Sequence, residues 1–174
     1  MAGFIKHCGQ GLICAVTADY PADMNFYRPV WQTLGVTPAW SAPYYRQGIY
    51  ISSTLSSDGQ RLLYILNLDA FEKRVDINWK GKTLFKDFLL TEKAALILPL
   101  GVHAGEAEIL CSTAQLVGID DESLRFRLSQ RSQDKILLKS VKKPCAAECS
   151  IEKTAEGWLL CPHGNDDLLV TFEA

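Results

Sequence analysis

At 174 residues the chain suits one domain, or one domain with a short appended unit, and it falls below the ~200 residues or more that a barrel of eight strand–helix pairs requires. Its 18 Lys and Arg against 20 Asp and Glu give a formal charge of −2 without charge blocks, which leaves no electrostatic footprint for nucleic acid or an anionic membrane. No apolar run approaches the roughly 20 residues that span a bilayer, and the segment after Met1 lacks the apolar stretch of a secretory signal, so a soluble chain is expected.

The first 36 residues differ in character from the rest. Gly9-Gln10-Gly11 leads into an apolar run, Leu12 to Val16, that reads as a strand. After Asp19-Tyr20-Pro21, the stretch MNFYRPVWQTLG sets Phe26, Tyr27, Val30, Trp31 and Leu34 near helical spacing, with Asp23 as a cap and Gly35 as a terminator. Pro29 removes a donor from that helix and fits best near its start. Residues 1–36 therefore form a strand–helix unit, half of an α/β layer, which needs cover from elsewhere.

A connector over 37–45, rich in Pro, Ala, Ser and aromatics, leads to a β region over 46–174. Its clearest part runs from Arg46 to Phe71, two alternating strands around a polar turn at Ser56-Ser57-Asp58-Gly59. Strands are expected at Gly48 to Thr54, Arg61 to Leu68, Arg74 to Trp79, Phe85 to Leu90, Ala94 to Leu98, Glu108 to Val117, Ser123 to Leu128, Lys135 to Lys139, Cys149 to Lys153, Gly157 to Leu160 and Leu168 to Phe172. Polar breaks at Lys80-Gly81, Asp120-Asp121 and Glu156-Gly157 separate several of them. Such spacing predicts a mainly β chain, an antiparallel sandwich or a distorted barrel.

Three stretches carry a family resemblance. GQGLICAVTADYPADMNFYRPVWQTLGV, with its D-Y-P-x-D turn and a helix closing on L-G-V, is similar to the segment that follows the catalytic barrel in glycoside hydrolase family 35, the β-galactosidase group. SSDGQRLLYILNLDAFEKRVDINWKGKTLFKDFLLTEKAALILPLGV resembles that family's accessory sandwich, and EILCSTAQLVGID the strand pair that comes after it. The resemblance covers roughly Gly9 to Leu128. It implies an accessory region whose partners are the catalytic barrel of a parent glycosidase or a second copy, with galactosides as further ligands. It also implies what is missing. The family cleaves glycosides with two glutamates at barrel-strand ends, carboxyls about 5 to 5.5 Å apart, and no segment here matches those strands. No catalytic residue is carried over, and the α/β domain expected before Gly9 is nearly absent from the chain.

The chemistry-bearing residues agree with a non-catalytic role. Asp19, Asp23, Asp120, Asp121, Glu122, Asp166 and Asp167 sit in polar turns, where carboxylates commonly accept backbone hydrogen bonds. Neither a G-x-S-x-G elbow nor a Gly-rich phosphate loop is present, and no cofactor is implied. Six cysteines lie in apolar or small-residue runs, the habit of reduced, buried thiols, so a cytoplasmic protein is expected. Cys145, Cys149, Cys161 and His163 are weak candidates for zinc, whose Cys₃His set they could supply, and a Cys149–Cys161 or Cys145–Cys149 disulfide is the alternative. His7 beside Cys8 lacks an orienting third group.

Aromatics are the better binding candidates. Trp40, Tyr44 and Tyr45 lie in the connector, Trp79 and Trp158 beside glycine turns, and Arg46, Asn67, Asp69 and Asn78 are within sequence reach. Rings offer flat faces to sugar C–H groups while polar neighbours take the hydroxyls. The plainer reading is that Trp40, Tyr44 and Tyr45 dock the strand–helix unit on the sandwich. Two function classes follow: a non-catalytic accessory region of a β-galactosidase-like enzyme, or an independent carbohydrate-binding module. A self-contained enzyme is not expected.

Overall fold

The computed structural model describes residues 3–17, 24–42, 48–120, 122–164 and 167–173. It opens with a hairpin, β1 (Gly3–Cys8) against β2 (Gly11–Val16), in register from Gly3 opposite Val16 to Cys8 opposite Gly11. Gly9 turns the chain with φ of 58°, a left-handed conformation that suits glycine. The expected strand is present but has a partner, so the N-terminal unit is hairpin then helix. The partner was missed because GFIKHC lacks a polar–apolar alternation.

Helix α1 spans Met24–Thr33 with Pro29 inside it. Its end is a Schellman motif: Val36 N donates to Trp31 O at 2.9 Å and Gly35 N to Gln32 O at 3.0 Å, with Gly35 at φ of 76°. The terminator role read for Gly35 is thus met, while the Asp23 cap lies outside the described residues.

Among the described residues fourteen further strands follow. They are β3 (Trp40–Ser41), β4 (Ile49–Leu55), β5 (Arg61–Asn67), β6 (Lys73–Trp79), β7 (Lys82–Leu90), β8 (Ala95–Ala104), β9 (Ala107–Ser112), β10 (Gln115–Asp120), β11 (Ser123–Arg127), β12 (Ile136–Ser140), β13 (Pro144–Cys145), β14 (Cys149–Lys153), β15 (Trp158–Pro162) and β16 (Asp167–Phe172). The protein is mainly β, and its antiparallel sheets form a sandwich-like arrangement, with no closed barrel among the described residues. β3 lies in the connector yet pairs with β6, so the connector contributes to the sandwich. The single strand expected over Glu108 to Val117 is two strands. Ser112 Oγ donates to Ala114 O at 2.7 Å and accepts from Ala114 N at 3.0 Å, a side-chain turn that competes with the ladder.

A seven-stranded spine runs β14-β15-β12-β9-β8-β5-β4, and two smaller sheets, β3-β6-β7 and β10-β11-β16-β13, complete the sandwich. Two cores result. The first joins Ile49, Leu63, Ile65, Leu96 and Leu98 of the spine to Val75, Ile77, Phe85 and Phe88 of the three-stranded sheet. The second joins Ile109, Ile136, Leu138 and Leu160 of the spine to Leu124, Phe126, Leu168 and Val170 of the four-stranded sheet.

The cores lie on opposite faces of the spine. Side chains alternate along a strand, and Leu137 and Leu159 share a cleft with Phe85 and Phe88 while their neighbours Ile136, Leu138 and Leu160 belong to the second core. The change of side is made at a bulge. Register shifts between Leu137 and Leu138 on β12 against β9, and Leu110 and Cys111 both turn to the first core's side while Ile109 joins the second. Gly101, opposite Leu110 in the β8–β9 register, relaxes the neighbouring strand with φ of 61°.

Candidate carbohydrate-contact site at Trp40 and Trp79

β3 and β6 pair Trp40 directly with Trp79, and the rings meet at 4.2 Å between centroids with planes inclined by 44°. Next to Trp79 a two-residue turn, Lys80 at φ of 47° and Gly81 at 81°, joins β6 to β7, the doubly left-handed geometry that matches strand twist. The turn read from Lys80-Gly81 is therefore present, and it sets Trp79 at the end of the sheet.

The third member is Arg61, from β5. Its guanidinium carbon stands 4.5 Å from the Trp79 centroid, and Lys80 Nζ stands at 5.2 Å. Ser53 Oγ accepts from both Trp40 Nε1 at 2.9 Å and Arg61 Nη1 at 2.6 Å, so one hydroxyl of β4 orients both. Trp40 also packs on the first core. The group encloses a small hollow of about 260 Å³, floored by Leu84, Leu100 and Leu110. Three neighbours occupy the space around the Trp79 ring, which makes the group a bolt between the spine and the three-stranded sheet. Sequence reasoning missed Arg61 because its link to Trp79 bridges two sheets; its position opposite Leu55, next to the β4–β5 turn, carries no local signal.

The remaining sugar-contact candidates divide. Tyr44, Tyr45 and Arg46 lie outside the described residues. Asn67 is wholly buried; its Nδ2 donates to Phe71 O at 2.9 Å and Thr91 O at 2.8 Å, and its Oδ1 accepts from Asp69 N. Asp69 is ion-paired with the buried Lys73. Both are thus occupied in holding the β5–β6 connection. Asn78 Oδ1 is buried with no hydrogen-bond partner among the described residues, and Trp158 Nε1 is in the same condition.

The thiol and imidazole candidates sit apart. Cys145 lies on the four-stranded sheet, its Sγ donating to Glu173 Oε1 at 3.2 Å, while Cys149 and Cys161 lie on the spine. Cys149 pairs with Pro162 and Cys161 with Ser150, so the two thiols are out of register, and all six cysteines are free. Burial pushes the Cys149 thiol up to about 11 and raises that of Cys111. His163 Nε2 shares a hydrogen bond of 2.7 Å with Ser150 Oγ. No group of three or more His, Cys, Asp or Glu among the described residues could hold a metal ion.

Two of the turn carboxylates have structural partners. Asp120 accepts from Ser123 Oγ at 3.3 Å and Asp167 faces Arg127 at 3.5 Å. Asp19, Asp23, Asp121 and Asp166 lie outside the described residues. No described helix is long and apolar enough to cross a membrane. No protein-family model matches the chain, and no curated protein matches it significantly.

Proposed function

We propose that the chain is a non-catalytic accessory β-sandwich region of a β-galactosidase-like glycoside hydrolase, and that its β1–β2 hairpin and α1 dock on the catalytic barrel of the parent enzyme. One observation carries the reading. The hairpin carries exposed apolar side chains on both faces, Phe4 and Ile13 beside Lys6 on one and Ile5 and Leu12 beside His7 on the other, Phe4 and Ile13 being exposed by half. A two-stranded ribbon is marginal alone, and strands apolar on both faces belong between covering layers. The resemblance of Gly9 to Val36 to the family's post-barrel segment names the cover. Six free thiols suit a cytoplasmic setting.

The alternative, an independent carbohydrate-binding module, needs an open aromatic face. Arg61, Lys80 and Trp40 crowd the Trp79 ring instead, so galactoside contact there is secondary to docking the two sheets. The test is to mix the purified chain with a family 35 catalytic barrel from the same genome and measure mass by light scattering. A stable complex that disappears in Ile5→Asp and Ile13→Asp is expected; absence of any complex contradicts the proposal. The chain alone should not turn over a chromogenic β-galactoside. Calorimetric heat with galactose, lactose or galactan that is lost in Trp40→Ala would favour the binding module.

A further inference from the structure

A second hollow, larger than the one beside the tryptophans, lies away from them, and the geometry points to it as a binding site for a small amphipathic anion, an organic carboxylate or sulfonate with an aryl or alkyl body. This inference is independent of the accessory-region reading. The cleft, of about 540 Å³, opens where the three-stranded sheet ends and the spine face is left uncovered. Its volume is in the range of small-molecule sites. Cys111, Leu137 and Leu159 of the spine form its floor, Phe85 of β7 its wall, and Lys86 and Lys135 its rim.

Two features set the chemistry. The first is rigidity of the loop between β11 and β12, which closes one side. Gln130 is buried and its amide pairs with the backbone of Leu89, accepting from Leu89 N at 2.7 Å and donating to Leu89 O at 3.1 Å. Asp134 is buried too, accepting from Ser129 N and Gln130 N at 2.9 Å and from Thr113 Oγ1 at 2.9 Å. These bonds tie the loop to β7 and to Thr113 in the β9–β10 connection, and between them Arg131 and Ser132 take left-handed φ of 48° and 62°. Non-glycine residues held so are strained, and such strain collects at ligand sites.

The second feature is charge. The two carboxylates that line the cleft are committed: Asp134 to the three donors above, and Asp87 to Arg74 at 2.8 Å. Lys86 and Lys135 form no ion pair among the described residues. An apolar floor beneath two uncommitted ammonium groups is complementary to an apolar body with a negative head. A neutral sugar has no negative head to pair with the two ammonium groups and suits it poorly.

The test compares 4-phenylbutyrate with the uncharged 4-phenylbutan-1-ol, each titrated into the intact protein at low salt while leucine methyl and backbone amide resonances are followed. Saturable shifts at Leu137 and Leu159 are expected, with the anion bound up to about tenfold tighter than the alcohol, as two exposed charge contacts allow. The double variant Lys86→Gln, Lys135→Gln should abolish the preference and leave alcohol affinity unchanged. Added salt should narrow the gap. Equal affinity for both probes, shifts at Phe4 and Ile13 of the hairpin in place of the cleft, or no saturable binding would overturn the assignment. Because the double variant changes only exposed side chains, an unchanged melting temperature shows that any loss is not unfolding.

Discussion

Two hairpins of one chain show how differently strand pairing and burial act. β1–β2 and β4–β5 are both in continuous antiparallel register. In β5 the side chains of Leu63, Ile65 and Asn67 are buried, and β8 extends the ladder on its other edge. In β1–β2 apolar groups lie on both faces, and among the described residues the strands pair only with each other. Hydrogen bonds form equally well in the two, but only β4–β5 is held by a core. The hairpin instead leaves Phe4, Ile5, Leu12 and Ile13 exposed.

Substitutions should widen that contrast. Phe126, wholly buried in the second core, should cost roughly 3–5 kcal/mol when replaced by Ala. Phe4→Ala in the hairpin should stay within about 0.5 kcal/mol for the isolated chain. Urea unfolding monitored by tryptophan fluorescence measures both. Glycines give a second pair. A Cβ on Gly157 would stand 2.2 Å from Leu138 O, backbone that cannot swing aside, whereas one on Gly11 meets nothing closer than Cys8 O at 3.7 Å. Gly157→Ala is therefore expected to destabilise by up to about 3 kcal/mol, and Gly11→Ala to leave the midpoint of thermal unfolding nearly unmoved.

Smaller effects sharpen the account locally. Asn67→Ala leaves the carbonyls of Phe71 and Thr91 without their side-chain donor, a loss of about 2 kcal/mol in the same unfolding assay. Thiol titration at pH 8 should modify exposed Cys8 well before Cys149, whose thiol is raised to about 11 by burial and is almost wholly protonated there. The smallest effect is at the β4–β5 turn. Hydrogen bonds from Ser56 and Gln60 lower the Asp58 carboxyl below its ordinary 3.8. Its contribution is present above that value and fades as pH falls through the lower folded value. A stability–pH profile of Asp58→Asn should lose that acid-side slope.

Much of the β order was legible because it is local. Asp58-Gly59 and Lys80-Gly81 mark turns by backbone chemistry alone, and the alternation RLLYILN fixes which face of β5 is buried. What was hidden is nonlocal. The opposite placement of the two cores depends on a bulge at Leu110-Cys111 facing Gly101, two positions whose residue types look ordinary in sequence. Trp40 and Trp79 stood out as aromatics beside a turn, but their engagement by Arg61 and Ser53 required the sheets to be assembled. The cleft was not visible at all, since Lys86, Gln130 and Leu159 come from three separate stretches.

Hydrogen exchange of the isolated chain tests the central claim most directly, that a self-sufficient sandwich carries a hairpin awaiting cover. Amides of Gly3–Cys8 and Gly11–Val16 should exchange orders of magnitude faster than those of Arg61–Asn67 and Ile136–Ser140, and slow sharply when a family 35 barrel is added. Protection of the hairpin equal to that of the spine, with no partner present, would contradict the account.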